Sequence, residues 1–91
     1  MTSDLLKQSN IGKDTATKLI LVDINSIEEL QAVGAEQAFI RLQTLDPGAC
    51  INLLYGLEGA IEGIQSSKLS DDKKHELLEF YKIAKRHLKT D

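Results

Sequence analysis

A short turn near the amino end carries the residues best suited to bind an anion. Asn10 and Gly12 flank the apolar Ile11, and a helical pattern begins at the next residue, Lys13. Backbone N–H groups at a helix start point outward with partial positive charge, so they can hold a phosphate oxygen. The turn therefore predicts a backbone-amide anion site, supplemented by two ammonium groups and a hydroxyl. Its residues are Asn10, Ile11, Gly12, Lys13, Thr15 and Lys18.

The order of residues in this turn resembles the helix-hairpin-helix motif. That motif has an apolar-Gly-apolar-Gly core, then a helix start with Lys or Arg followed by Thr-Ala, and the run Ser9–Ala16 matches it with Asn10 at the first glycine. Asparagine is the residue best able to replace glycine at positive φ. The pattern favours contact with nucleic-acid phosphates and little base specificity. The alternative is a structural turn that joins two packed helices and buries Ile11.

Glycines in a long apolar helix indicate close packing. The helix is predicted from about Ala49 to Gln65, with three glycines that each cost roughly 1 kcal/mol against alanine. A helix that tolerates this gains close contact with another backbone, so we expect it at the centre of the fold. The alternative role for these glycines, Gly56, Gly59 and Gly63, is an interface with a partner. The broad apolar face of the helix comprises Cys50, Leu53, Leu54, Leu57, Ile61 and Ile64.

Residues that could support catalysis or bind a metal are few. Cys50 lies on the apolar face, so we expect a buried structural thiol. His75 and His87 lie twelve residues apart on one predicted helix, about 18 Å, which is too far to share a metal. Glu58 and Glu62 lie one turn apart, and no third group completes an acid/base or metal site. We therefore expect no enzymatic activity, no cofactor, no metal and no small-molecule substrate.

Composition and charge exclude several classes of protein. The chain has 91 residues, a single cysteine, which rules out an internal disulfide, and a formal net charge of -3. No apolar run approaches the roughly 18 residues that a membrane span requires. We expect one globular domain, residues 1–91, in a reducing cytoplasm. A dedicated nucleic-acid binder usually has a basic excess, so the whole-chain charge counts against DNA but leaves room for a local basic surface.

Helical spacing recurs along the chain, and strand alternation is absent from the sequence. A short helix is predicted around Leu5-Leu6 before the turn, and a second ends near Val22. A later helix has one apolar stripe and stops at Asp46-Pro47-Gly48, because proline cannot continue the hydrogen-bond ladder. That stripe consists of Ala35, Ala38, Phe39 and Leu42. The pattern predicts an all-α domain of five or six helices in an orthogonal arrangement, with a helix-hairpin-helix-like N-terminal half.

Cap residues place two further helix boundaries. Ser26 and Glu29 form a capping box, in which the Ser26 hydroxyl accepts from the Glu29 amide and the Glu29 carboxylate reaches back to the Ser26 amide. Gly34 sits where a left-handed C-cap is needed, so this helix has barely two turns. Ser70 is a good N-cap for the last helix.

The last helix has a basic flank beside its core stripe of Leu77, Tyr81, Ala84 and Leu88. Cations near a helix C-terminus are favoured by its dipole, so a solvated face explains them. The alternative is a second binding surface. The flank comprises Lys82, Lys85, Arg86 and Lys89.

Several segments together resemble the C-terminal domain of the competence regulator TfoX, also called Sxy. The resemblance covers about residues 5 to 85, and its most specific part is the block Asn52–Ala60. We expect the chain to be a stand-alone copy of that domain. The other matching residues are Asn10 to Lys13, Ile24, Ser26, Ile27, Leu30, Val33 to Ala35, Leu42 and Gly63.

The resemblance implies a bacterial, all-helical domain with helix-hairpin-helix character and a role in DNA transformation or transcriptional control of competence genes. Nothing in the family pattern marks a catalytic residue. The first hypothesis is a non-enzymatic module that contacts nucleic-acid backbone through the Asn10–Lys13 turn, with Lys18 assisting. The second is a protein-interaction or homodimerisation module without direct DNA contact.

Overall fold

The computed structural model describes the backbone of residues 11–89 and the side chains of residues 11–86. The predicted helix around Leu5-Leu6, the residue Asn10 and the side chains of Leu88 and Lys89 lie outside the described residues. The described part is all-helical, as predicted from the spacing. Its elements are α1 (Lys13–Leu21), α2 (Ile27–Val33), α3 (Ala35–Leu45), α4 (Ile51–Glu62), a short 3-10 helix (Ser66–Lys68) and α5 (Asp71–Lys89).

The core lies where the apolar stripes of these helices face one another. Helix α3 buries its whole predicted stripe, with Phe39 and Leu42 fully inaccessible to solvent. The Phe39 ring packs on Tyr81 of α5, with centroids 5.8 Å apart. Leu77 is buried as predicted, and Tyr81 is half-buried at the edge of the core.

Helix α4 is the most enclosed element and contacts α2, α3, α5 and the 3-10 helix. Leu54, Leu57 and Ala60 are buried, as are Gly56 and Gly59. Because a glycine presents no side chain, neighbouring elements can approach this helix closely. The predicted central position of this helix is therefore correct.

Two predictions about α4 are wrong at its ends. The helix begins after Cys50, whose extended backbone makes it the N-cap, and the thiol is exposed rather than buried. The helix ends at Glu62, because Gly63 adopts a left-handed conformation with φ 74°. Gly63 is thus a cap and not an interior residue, and Ile64 beyond it is 36% exposed.

The C-terminal end of α1 is capped without a glycine. Asp23 has φ 67°, and the Ile24 amide donates to the Leu19 carbonyl at 2.8 Å while the Asp23 amide donates to Ile20. These two bonds form a Schellman motif, which satisfies carbonyls at the helix end. Leu19 and Ile24 are both fully buried, so their contact fixes the direction in which the chain leaves the helix.

The capping box before α2 forms with one difference from the prediction. The Ser26 hydroxyl accepts the Glu29 amide at 3.1 Å, as expected. The Glu29 carboxylate, however, accepts the Asn25 amide at 2.7 Å, one residue earlier than predicted. The predicted Ser70 cap is present, since its hydroxyl accepts the Lys73 amide at 3.0 Å.

Gly34 is the backbone position on which the α2–α3 corner depends. It caps both helices with φ 90° and ψ 153°, a region that is essentially restricted to glycine, and a Cβ placed there would meet no atom within 4 Å. Gly34→Ala should therefore lower the free energy of unfolding by about 1 to 3 kcal/mol through backbone strain alone.

Urea unfolding of Gly34→Ala beside Gly48→Ala tests this expectation. Gly48 has ordinary φ, and a Cβ there would lie 3.5 Å from Asp46 Oδ1, so its substitution should change stability by less than about 1 kcal/mol. Equal losses in the two variants would show that the strain at Gly34 is unimportant.

Candidate functional site

The described part of the amino-terminal turn is anchored on one side and open on the other. Ile11 is 3% exposed and belongs to the core, whereas Gly12, Lys13 and Asp14 are exposed. Gly12 is the N-cap of α1 with extended backbone and no side-chain cap, and the first intrahelical bond runs from the Ala16 amide to the Gly12 carbonyl at 2.9 Å. The amides ahead of Ala16 therefore lie on the exposed side of a buried anchor.

Contacts with α3 fix the orientation of α1. Arg41 donates to the Val22 carbonyl at 3.2 Å, and Lys18 Nζ donates to Asp46 Oδ2, also at 3.2 Å. Val22, the C-cap of α1, thus contacts the middle of α3, and Lys18, four residues earlier, contacts the residue that caps the end of α3. This reverse order indicates that the two helices run antiparallel. The start of α1, including Lys13, consequently projects beyond the C-terminal end of α3.

Contacts with α3 also fix the orientation of α5, and these two helices run in the same direction. Residues near the start of α3 share a cleft with Lys73 and Leu77, Phe39 packs on Tyr81, and the Lys85 ammonium reaches the Pro47 carbonyl at 2.8 Å. The basic flank of α5 therefore lies at the same end of α3 as the start of α1.

We call this region the basic end, defined by five cations and two carboxylates. Lys85 also lies 5.6 Å from the Tyr81 ring centre, a cation–π contact that fixes its position. Lys82 pairs with Glu79 at 3.5 Å. The cations are Lys13, Lys18, Lys82, Lys85 and Arg86, and the carboxylates are Asp14 and Asp46.

Lys18 is the most constrained cation of the basic end. Its Nζ lies 3.1 Å from Asp14 Oδ2 and 3.2 Å from Asp46 Oδ2. The hydrogen bond that Lys18 donates to Asp14, and then the one that it donates to Asp46, raise the pKa of Lys18, so it stays fully charged. The same contact with Lys18 lowers the pKa of Asp46. Thr15 is half-buried on the same helix.

The glycines predicted for close packing or an interface separate into two groups. Gly56 and Gly59 lie inside the packing of this chain. Gly63 is exposed and terminates α4.

A second cluster of charges lies at the opposite end of α3, in a cleft of about 220 Å³. Glu58 of α4 meets Glu36 of α3 and Lys73 and Glu76 of α5 there. Burial, followed by a hydrogen bond with Glu62, raises the pKa of Glu58 to about 7, although Lys73 opposes the shift. The sequence showed only the Glu58–Glu62 spacing, because the other groups arrive through tertiary packing.

The charged groups that line the cleft are three glutamates, Glu36, Glu58 and Glu76, and one lysine, Lys73. Lys73 also pairs with Glu76 at 3.4 Å. No group of three or more His, Cys, Asp or Glu side chains is arranged to hold a metal within residues 11–86. In the same part of the chain, no helix has both the length and the apolar character to cross a bilayer.

The described residues form a small all-helical domain that carries five of its cations at one end, the basic end. A model of the TfoX C-terminal domain family matches residues 1–81, and the chain belongs to that family. The resemblance seen in the sequence is therefore confirmed. Membership indicates a competence-related domain of regulatory type.

The structure is similar to two crystal structures of proteins from Listeria monocytogenes. An uncharacterised protein in a triclinic crystal form is 41% identical with a TM-score of 0.82, over 84% of this chain and 86% of that chain. A protein of unknown function in a tetragonal form is 38% identical with a TM-score of 0.84, over 87% of this chain and 98% of that chain. No curated protein matches the chain.

The raised pKa of Glu58 gives stability a pH dependence of known sign. The folded chain retains this proton up to about pH 7, whereas the unfolded chain releases it near 4.5, so the folded state binds more protons in that window. The free energy of unfolding must therefore fall as the pH rises through the window. In Glu58→Gln the free energy of unfolding should no longer fall over this window. The variant should be more stable than the wild type at about pH 8 by about 1 kcal/mol, a figure reduced from the full pKa shift because solvent screens this half-buried group.

Urea titrations at about pH 5.5 and about pH 8 measure the effect. Glu28→Gln, which changes an exposed glutamate on α2, is the matched control and should keep the wild-type pH dependence. An unchanged pH dependence in Glu58→Gln would contradict the assignment of this proton to Glu58.

Proposed function

We propose that this chain is a non-enzymatic module that contacts the sugar-phosphate backbone of nucleic acid at its basic end, in the service of competence regulation. The observation that carries the proposal is the convergence of Lys18 and Lys85 on adjacent loop residues, Asp46 and Pro47. The amino-terminal turn and the basic flank of α5 then form one surface instead of two unrelated features.

This convergence answers the objection raised by the net charge of -3. Affinity for nucleic acid depends on the cations that reach phosphates, not on charges elsewhere. In the last helix, residues 71–79 hold the acidic groups and residues 80–89 hold only basic ones. The surface around Lys13 and Arg86 can therefore be locally positive on an acidic chain.

Helix polarity adds to the same effect. Helices α1 and α4 both begin at the basic end, at Lys13 and directly after the Asp46–Cys50 loop. Amides at helix starts carry partial positive charge that favours phosphate. These contacts read the backbone and carry no base information, so we expect little sequence preference.

The alternative is a protein-interaction or homodimerisation module. Two large apolar side chains favour it, since Leu21 is 68% exposed and Ile83 is 50% exposed. Sedimentation across a concentration series separates these possibilities, because a monomer at every concentration would exclude the homodimer.

Binding to a short labelled duplex should weaken steeply with salt between about 50 and 200 mM. Lys13→Gln and Arg86→Gln should each weaken binding several-fold and reduce the salt slope by about 0.9, since each removes one phosphate contact. Fluorescence anisotropy at several salt concentrations measures both quantities, with duplex and single-stranded DNA compared.

Lys68→Gln is the matched control for these variants. Lys68 is exposed and follows the C-terminal end of α4, whereas the basic end lies at the start of α4. Its substitution changes net charge equally and should leave the salt slope unchanged. A wild-type chain that fails to bind either form of DNA at low salt would refute the proposed function.

A further inference from the structure

Asp46 occupies a position that joins the two halves of the basic end. Its Oδ1 accepts the Gly48 amide at 3.1 Å, and its Oδ2 accepts from Lys18 at 3.2 Å. Gly48 and Lys18 thus hold the carboxylate from two sides, and the favourable charge of Lys85 acts on it as well.

Lys18 is therefore charged but internally neutralised. Its side chain is 30% exposed, and that of Asp46 is 40% exposed, whereas the second partner, Asp14, is 84% exposed. An ion pair one helical turn apart on an open surface is strongly screened by solvent and contributes little. The contact with Asp46 is made from another element and is less exposed, so solvent screens it less than the contact with Asp14.

We propose that Asp46 restrains the affinity of this chain for nucleic-acid backbone by holding the Lys18 ammonium in an internal ion pair. The inference rests on the proposed function and concerns the same surface. A lysine gains affinity by neutralising a phosphate and releasing a counterion. While Lys18 is paired with Asp46, a phosphate must displace a carboxylate to reach it, so this cation contributes little.

The test is Asp46→Asn, which removes the charge and keeps an Oδ1 acceptor for the Gly48 amide. We expect binding to the labelled duplex to be roughly three- to tenfold tighter at about 50 mM salt, with a salt slope steeper by about 0.9. Thermal unfolding followed by circular dichroism checks that the variant remains folded.

Asp23→Asn is the matched control. Asp23 is exposed and follows the other end of α1, so the substitution changes net charge equally without releasing a lysine. Its affinity and slope should stay near those of the wild type. An equal gain in both variants would overturn the proposal, because net charge alone would then explain it.

A double-mutant cycle shows whether Asp46 acts through Lys18. In the Lys18→Met background, Asp46→Asn should give at most the small change seen with Asp23→Asn. An undiminished gain would overturn the proposal in favour of direct repulsion between Asp46 and phosphate. Absence of any gain in a chain that binds DNA would refute the restraint alone, whereas a wild-type chain that does not bind DNA at low salt would refute the proposed function and the restraint with it.

Discussion

The direction of α3 is the constraint on which the arrangement of charges depends. This helix buries Phe39 and Leu42 completely, and it carries α1 antiparallel on one side and α5 parallel on another. Its eleven residues extend about 16 Å. Because the neighbouring helices are fixed against it, the Glu58 cleft lies at its start and the basic end lies at its finish.

Local signals account for the parts of the fold that the sequence could predict. The stripe of α3, the Ser26 and Ser70 caps and the central place of α4 follow from periodicity and cap chemistry. The errors occur where a cap overrides periodicity. Gly63 continues the pattern of α4 but leaves the helical conformation, and Cys50 falls on the apolar face by periodicity but is the exposed N-cap of the helix.

The sequence predicts the separate segments of the candidate site but not that they lie together. The turn and the basic flank each have a signature in the sequence, but their meeting depends on bonds between residues 28 and 38 positions apart. The Glu58 cleft is similar, since Glu36 and Lys73 reach it from other helices. Spacing within one helix reports which residues share a face, and it cannot report which face of another helix lies opposite.

The Glu58 cleft and the basic end lie at opposite ends of α3, so the net charge of -3 does not describe the electrostatic potential at the basic end. Screening in physiological salt acts over about 8 Å, and the two ends of α3 are about twice that distance apart. Acidic groups around Glu58 therefore weaken the potential at Arg86 only slightly, whereas Asp46 acts on Lys18 at contact distance. The potential at the basic end is therefore set mainly by its own charged groups, and the pairing of Lys18 with Asp14 and Asp46 reduces the positive charge that this end presents.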